Sequence, residues 1–189
     1  LPADAELTAL TLECWVRPWK LKPWQGILTQ HDYPDRCGYG LFLDAEGRVV
    51  FSIGSGGMFE QDSLMIGPKL NRRQWHHLVG VWNGTTKTAA IWVDGKHAAE
   101  WQATGKFLPR RAGRAELRIG AYSDRDVIGR FFDGDIAMPA IYARALSGDE
   151  IIERFSTRGL KEPNLKDPAL AAFWPLDEEQ GVKVRDVSR

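Results

Sequence analysis

Residues able to do chemistry are few along this chain, and their spacing excludes most of what they could do. Asp133-Gly134-Asp135-Ile136-Ala137 sets two carboxylates at alternate positions, where a strand presents them on one face. Glycosidic cleavage uses an acid and a nucleophile placed that way, as in E-x-D-x-E, but this run has no glutamate. Ser55 sits in Gly54-Ser55-Gly56-Gly57 without the glycine two places earlier that a G-x-S-x-G elbow requires. The same glycines lack G-x-x-x-x-G-K and a strand-to-helix context, so they read as a bend rather than a phosphate loop. Cys14 falls mid-strand with no histidine implied nearby and reads as a small core residue. His76 and His77 are adjacent, point to opposite faces of a strand and cannot share one metal ion.

Binding is the better prospect. Trp19, Trp24 and Trp101, flanked by lysine or glutamate, are the candidate interaction surface, with sugar stacking on the same rings as an alternative use. Trp75 and Trp92 fall in strand patterns and are expected in the core. Arg110, Arg111, Arg114 and Arg118 form a basic cluster that could meet a heparin-like or phosphate partner, but Glu116 interrupts the run and predicts a solvated loop.

The elements that must position these residues are strands. Leu10, Leu12, Cys14 and Val16 alternate with Thr11, Glu13 and Trp15, and Pro18 ends that run. Ile27 to Thr29 starts a second strand, Tyr39 to Leu43 and Val49 to Ile53 form a hairpin around Asp44 to Gly47, and Ser63 to Ile66 adds another. Trp75 to Trp82 puts Trp75, His77, Val79 and Val81 on one face and His76, Leu78, Gly80 and Trp82 on the other. Asn83-Gly84 and Asp94-Gly95 predict tight turns on either side of Thr88 to Val93. Further strands are expected at 96–101, 117–121, 133–142 and 170–176. Ser147-Gly148-Asp149-Glu150 is a capping box ahead of Ile151, Ile152 and Phe155, and it predicts one helix over 148–156.

Charge balances at 25 basic and 25 acidic residues, so no whole-molecule field draws nucleic acid or an anionic membrane, and neither partner is expected. No apolar run approaches the roughly 20 residues a membrane helix needs, and no leader is visible at Leu1-Pro2-Ala3-Asp4. Cys14 and Cys37 would pair only if the first strand lay beside the loop of Cys37. The sequon Asn83-Gly84-Thr85 reads as a hairpin turn.

The run W-H-H-L-V-G-V-W-N-G, a strand ending W-V-D-G and a later F-x-G-x-I…I-Y-x-R-A-L-S resemble the laminin-G-like, concanavalin-type jelly-roll family. The resemblance implies an all-β, two-sheet antiparallel sandwich with one short helix. The length fits a single domain over 1–189, and without an initiator Met that domain is expected to be cut from a longer chain. The resemblance also makes calcium the candidate ion, because such modules often hold it at the sandwich rim. Asp124 and Asp126 are the candidate ligands, with Asp32 and Asp35 as a second set, but no spacing is diagnostic and the residues read first as solvated turn carboxylates.

Within the family, Phe132 to Ser147, Ala172 to Asp177, Val184 to Ser188 and Glu46 to Gly54 look similar to the jelly-roll region of the N,N-dimethylformamidase large subunit, with Ala137-Met138-Pro139 replacing an acidic pair. That narrower resemblance implies a cytoplasmic, iron-dependent amidohydrolase parent whose metal ligands lie in a separate domain. This chain would then be a non-catalytic module packing against that catalytic domain or neighbouring subunits. The alternative is a carbohydrate-binding or calcium-dependent adhesion module.

Overall fold

The computed structural model describes residues 8–32, 37–54, 64–102, 116–124 and 127–188. Chain order is β1 (Ala9–Pro18), β2 (Gln25–Asp32), β3 (Cys37–Leu43), β4 (Arg48–Ile53), β5 (Leu64–Lys69), β6 (His76–Asn83), β7 (Thr88–Val93), β8 (Lys96–Gln102), β9 (Arg118–Ile119), β10 (Tyr122–Asp124), β11 (Val127–Gly129), β12 (Gly134–Tyr142), α1 (Gly148–Ser156) and β13 (Leu170–Phe173). One sheet runs β13-β12-β1-β6-β7-β8 and the other β11-β10-β2-β3-β4-β5, with β9 paired to β2. Pairing is antiparallel except for the short contact between β10 and β2 and an isolated parallel bridge from Gly26 to Phe131. This is the jelly-roll sandwich.

The alternation read in the sequence decides what fills it. Leu10, Leu12, Cys14 and Val16 point between the sheets, where Leu41, Leu43, Phe51, Leu78 and Ile91 join them. Gly80 is required there: a Cβ on it would come within 2.5 Å of the buried Phe51 ring. Cys14 is a free, fully buried thiol. Burial, with the Glu13 carboxylate next to it, pushes its pKa far up.

The other face of β1 carries Thr11, Glu13, Trp15 and Arg17, and α1 covers most of it. The capping box is present: Ser147 Oγ accepts from the Glu150 N–H at 3.3 Å, and Glu150 Oε2 accepts from the Ser147 N–H at 2.8 Å. Ile151 buries completely against Val79, Val81, Leu146 and Phe173, and Phe155 stacks on Trp15 with centroids 5.9 Å apart. Under the helix, buried Glu13 meets His77 Nε2 at 2.8 Å and Arg154 Nε at 2.6 Å, while Tyr142 donates to it at 3.4 Å. Burial alone would raise the Glu13 pKa, but the His77 and Arg154 partners outweigh it and hold the carboxyl below its ordinary value.

Met138-Pro139 has a local explanation. Glu13 pairs with Ala140 and Trp15 with Ala137, so β12 carries an extra residue here. Met138 takes φ 51 and opens this bulge, which lets a proline with no N–H to donate sit inside a sheet between β1 and β13.

Several expectations need correction. Asn83 stays in β6, and the turn is the four residues 84–87, with Asn83 Oδ1 accepting from the Thr85 and Thr86 N–H groups. Asp94-Gly95, with both φ positive, is the two-residue turn expected. The 117–121 strand shortens to β9, because Gly120 at φ 78 breaks it before β10. The last strand stops at Phe173, close before Pro175, which has no N–H to extend the ladder. Arg110, Arg111, Arg114 and residues 55–57 lie outside the described residues, as does the side chain of Cys37.

Candidate functional site

Where α1 ends, the outer face of the first sheet is left open, and an exposed aromatic edge occupies the opening. Arg17 is the last outward-facing residue of β1 and pairs with Asp135 across to β12. Its Nε donates to Asp135 Oδ2 at 2.7 Å, and the same oxygen accepts from Trp19 Nε1 at 2.6 Å. The Arg17 guanidinium lies 6.0 Å from the Trp19 ring centroid and 5.1 Å from that of Trp75. Trp19 is 52% exposed and Trp75 42%. The donors from Trp19 and Arg17 hold the Asp135 carboxyl below the usual carboxylate range.

Backbone ties fix this edge. The Asp133 carbonyl accepts from the N–H groups of Trp19 and Lys20, and Lys22 Nζ reaches the Asp133 carboxylate at 2.8 Å. Gln25, fully buried, accepts from the Asp133 N–H and donates to the Lys20 carbonyl, so one side chain splices both loops. The Arg73 N–H donates to the Pro18 carbonyl and brings the 71–75 loop alongside. Gly134 is the glycine of the F-x-G motif, and a Cβ there would come within 2.4 Å of the Arg17 carbonyl. The motif therefore seats Asp135 beside Arg17.

The remaining free groups define what the edge can do. Oδ1 of Asp135 and both Nη groups of Arg17 make no hydrogen bond among the described residues, and the two side chains are about two-fifths exposed. An acceptor and paired donors thus stand beside two exposed indole faces. Such a set takes a ligand with an apolar face and hydroxyls around its rim.

The three tryptophans named from sequence do not meet. Trp19 belongs to this edge. Trp24, at φ 55, packs on Phe42, Val50 and Tyr122 on the outer face of the second sheet. Trp101 lies in β8 and packs against the inter-sheet core, not in a loop. Trp75, expected in the core, is exposed because β6 starts one residue later, at His76. The missed signal was its position directly after the 71–74 turn.

The ion candidates are dispersed. Asp124 lies in β10 with its carboxylate 3.6 Å from Arg130, whereas Asp126, Asp35 and the side chain of Asp32 lie outside the described residues. Among the described residues no three His, Cys, Asp or Glu side chains gather as a metal cluster would require. His76 faces Asp94 and His77 faces Glu13, on opposite sides of the sheet. On the outer face of the second sheet, His31 packs edge-on against Phe42. Burial lowers its pKa to about 4, and its Nδ1 has no partner among the described residues.

Among solved structures, a candidate carbohydrate binding protein from Bacteroides ovatus superposes with a TM-score of 0.77 at 14% identity, over 98% of this chain and 51% of that one. This chain therefore spans about half of that protein's length. The Ruminococcus gnavus IT-sialidase CBM40 bound to alpha2,3 sialyllactose gives 0.63 at 15% identity, over 77% of this chain and 81% of that one. A heptameric SAP-like pentraxin from Limulus polyphemus gives 0.62 at 11% identity, over 95% and 79%. At these identities the likeness is one of fold. No curated protein matches. A laminin-G-type family model covers residues 2–152, and on that match the chain belongs to the Concanavalin A-like lectin/glucanases superfamily.

Proposed function

We propose that this domain is a non-catalytic carbohydrate-binding module whose sugar stacks on the Trp19 and Trp75 edge. The observation that carries this is the pairing of two exposed tryptophans with Arg17 and Asp135, whose free donors and acceptor suit neighbouring ring hydroxyls. Two of the structural neighbours named above are described as carbohydrate binding or seen with a glycan, which supports the reading without assigning their ligands here. The chemistry of the edge agrees. Asp135 is held ionised by two donors, the opposite of the raised pKa a proton-donating carboxyl needs.

The test is a glycan-array screen followed by titration calorimetry. Trp19→Ala and Trp75→Ala should each weaken binding about tenfold or more while leaving the melting temperature nearly unchanged. Binding that ignores both substitutions places the sugar elsewhere and refutes this site.

A second reading rests on the Phe132–Ser147 and 172–188 sequence blocks: a scaffold module of a dimethylformamidase-like amidohydrolase large subunit. In it the same tryptophan edge packs against the catalytic domain or a neighbouring subunit. Trp19→Ala would then loosen that assembly and leave glycan titrations flat.

A further inference from the structure

The tryptophan edge carries a charge excess that the whole chain does not. Lys20 follows Trp19 directly, and Arg72 and Arg73 stand in the turn just before Trp75. Lys69, Leu21 and Arg72 line one shallow cavity, which joins the 19–24 loop to the 69–75 loop at this end of the sandwich. Lys20, Lys69, Arg72 and Arg73 are all exposed, and none has an acidic partner among the described residues. By contrast Arg17 is paired with Asp135 and Lys22 with Asp133. The paired charges hold the platform together, and four free cations remain around it in a chain whose overall charge is zero. A concentration of one sign beside a binding surface attracts the opposite sign and repels its own.

Building on the carbohydrate reading, we infer that this edge selects an acidic glycan, a sugar chain bearing carboxylate or sulfate groups. Trp19 and Trp75 stack on its rings, and Arg72 and Arg73 take its anionic substituents. Arg73 is held for this at φ 61 by its N–H bond to the Pro18 carbonyl, an unusual conformation for an arginine. Stacking supplies the affinity for a sugar, and the arginines supply the preference for charge.

The test uses matched probes: galacturonic acid oligomers against their methyl esters, and sulfated galactose oligomers against the desulfated chains, with inorganic polyphosphate as an anion lacking rings. An acidic member should bind about tenfold or more tighter than its neutral partner, and added salt should erode the difference. Arg72→Gln with Arg73→Asn, asparagine being tolerant of positive φ, should abolish the preference while retaining neutral-sugar binding. Equal affinity for the acidic and neutral partners overturns the inference and leaves the carbohydrate reading intact. Failure of every oligomer to bind, or binding unaffected by Trp19→Ala, overturns both. Polyphosphate binding as tight as that of the acidic sugars and insensitive to Trp19→Ala reduces the edge to an anion patch, and it too overturns the inference.

Discussion

Arg154 and Glu13, 141 residues apart, meet under the helix, with the Arg154 Nε placed 2.6 Å from each carboxylate oxygen. The Glu13 side chain is 2% exposed, so α1 is fastened to β1 by a charge pair taken out of water. Removing Arg154 leaves the buried Glu13 carboxylate with only His77 and Tyr142 as partners. Arg154→Ala should lower the unfolding free energy by about 3–5 kcal/mol, read from denaturant midpoints at constant m-value. Glu13→Gln with Arg154→Met should recover most of that loss, because no buried charge is left unpaired. A single variant as stable as the parent would show that the pair does not fasten the helix.

Acid should act in two stages. Unfolded His31 takes up a proton near pH 6.5, while the folded protein resists until about 4, so the unfolded state binds more protons between those values. Stability therefore falls as pH drops from 6.5 to 4, by at most about 3 kcal/mol from this residue. Arg144 holds the Glu150 carboxyl at about 2, so its contribution is present above its unfolded value and is lost as pH falls towards 2. His76 works in the other direction: Asp94 raises its pKa, so its contribution is complete below 6.5 and fades as pH rises through the folded value. Melts of His31→Gln across pH should lose the first stage and keep the second, and superposition on the parent curve would remove His31 from this account.

Gly80→Ala should be costly despite its size. The new methyl would collide with the fully buried Phe51 ring, and overpacking of this kind costs about 1–3 kcal/mol. Phe51→Leu in the same chain should relieve part of the collision, and equilibrium unfolding of the two variants checks it.

Ser147→Ala removes the hydroxyl that accepts from the Glu150 N–H, and caps of this type are worth about 1 kcal/mol. Far-ultraviolet dichroism should show little change in the native state, since Arg144 still grips Glu150 at 2.7 Å. The loss should appear in the unfolding midpoint.

What could be read in the sequence was local. The faces of β6, the Asp94-Gly95 turn and the full span of α1 follow from neighbours within a few positions, and each is where the pattern put it. Glu13 shows the limit. On a strand it reads as an outward, solvated residue, and only α1, arriving more than 130 positions later, encloses it. Trp75 shows the converse: its alternation matched a core strand, yet the strand began one residue after it. Arg17, Trp19, Trp75 and Asp135 come from three separate stretches, and only strand register brings them to one edge. Residues 117–121 misled because their composition does not reveal that Gly120 turns the chain.

Cys14 sits midway between two sheets that a reagent must part before it can touch sulfur. With Cys37 replaced by serine, the rate at which this thiol modifies becomes a clock for how often the sandwich breathes open. A sugar that stiffens the loops at one end need not slow that clock. Comparing the two would separate motion at the rim from opening of the layers.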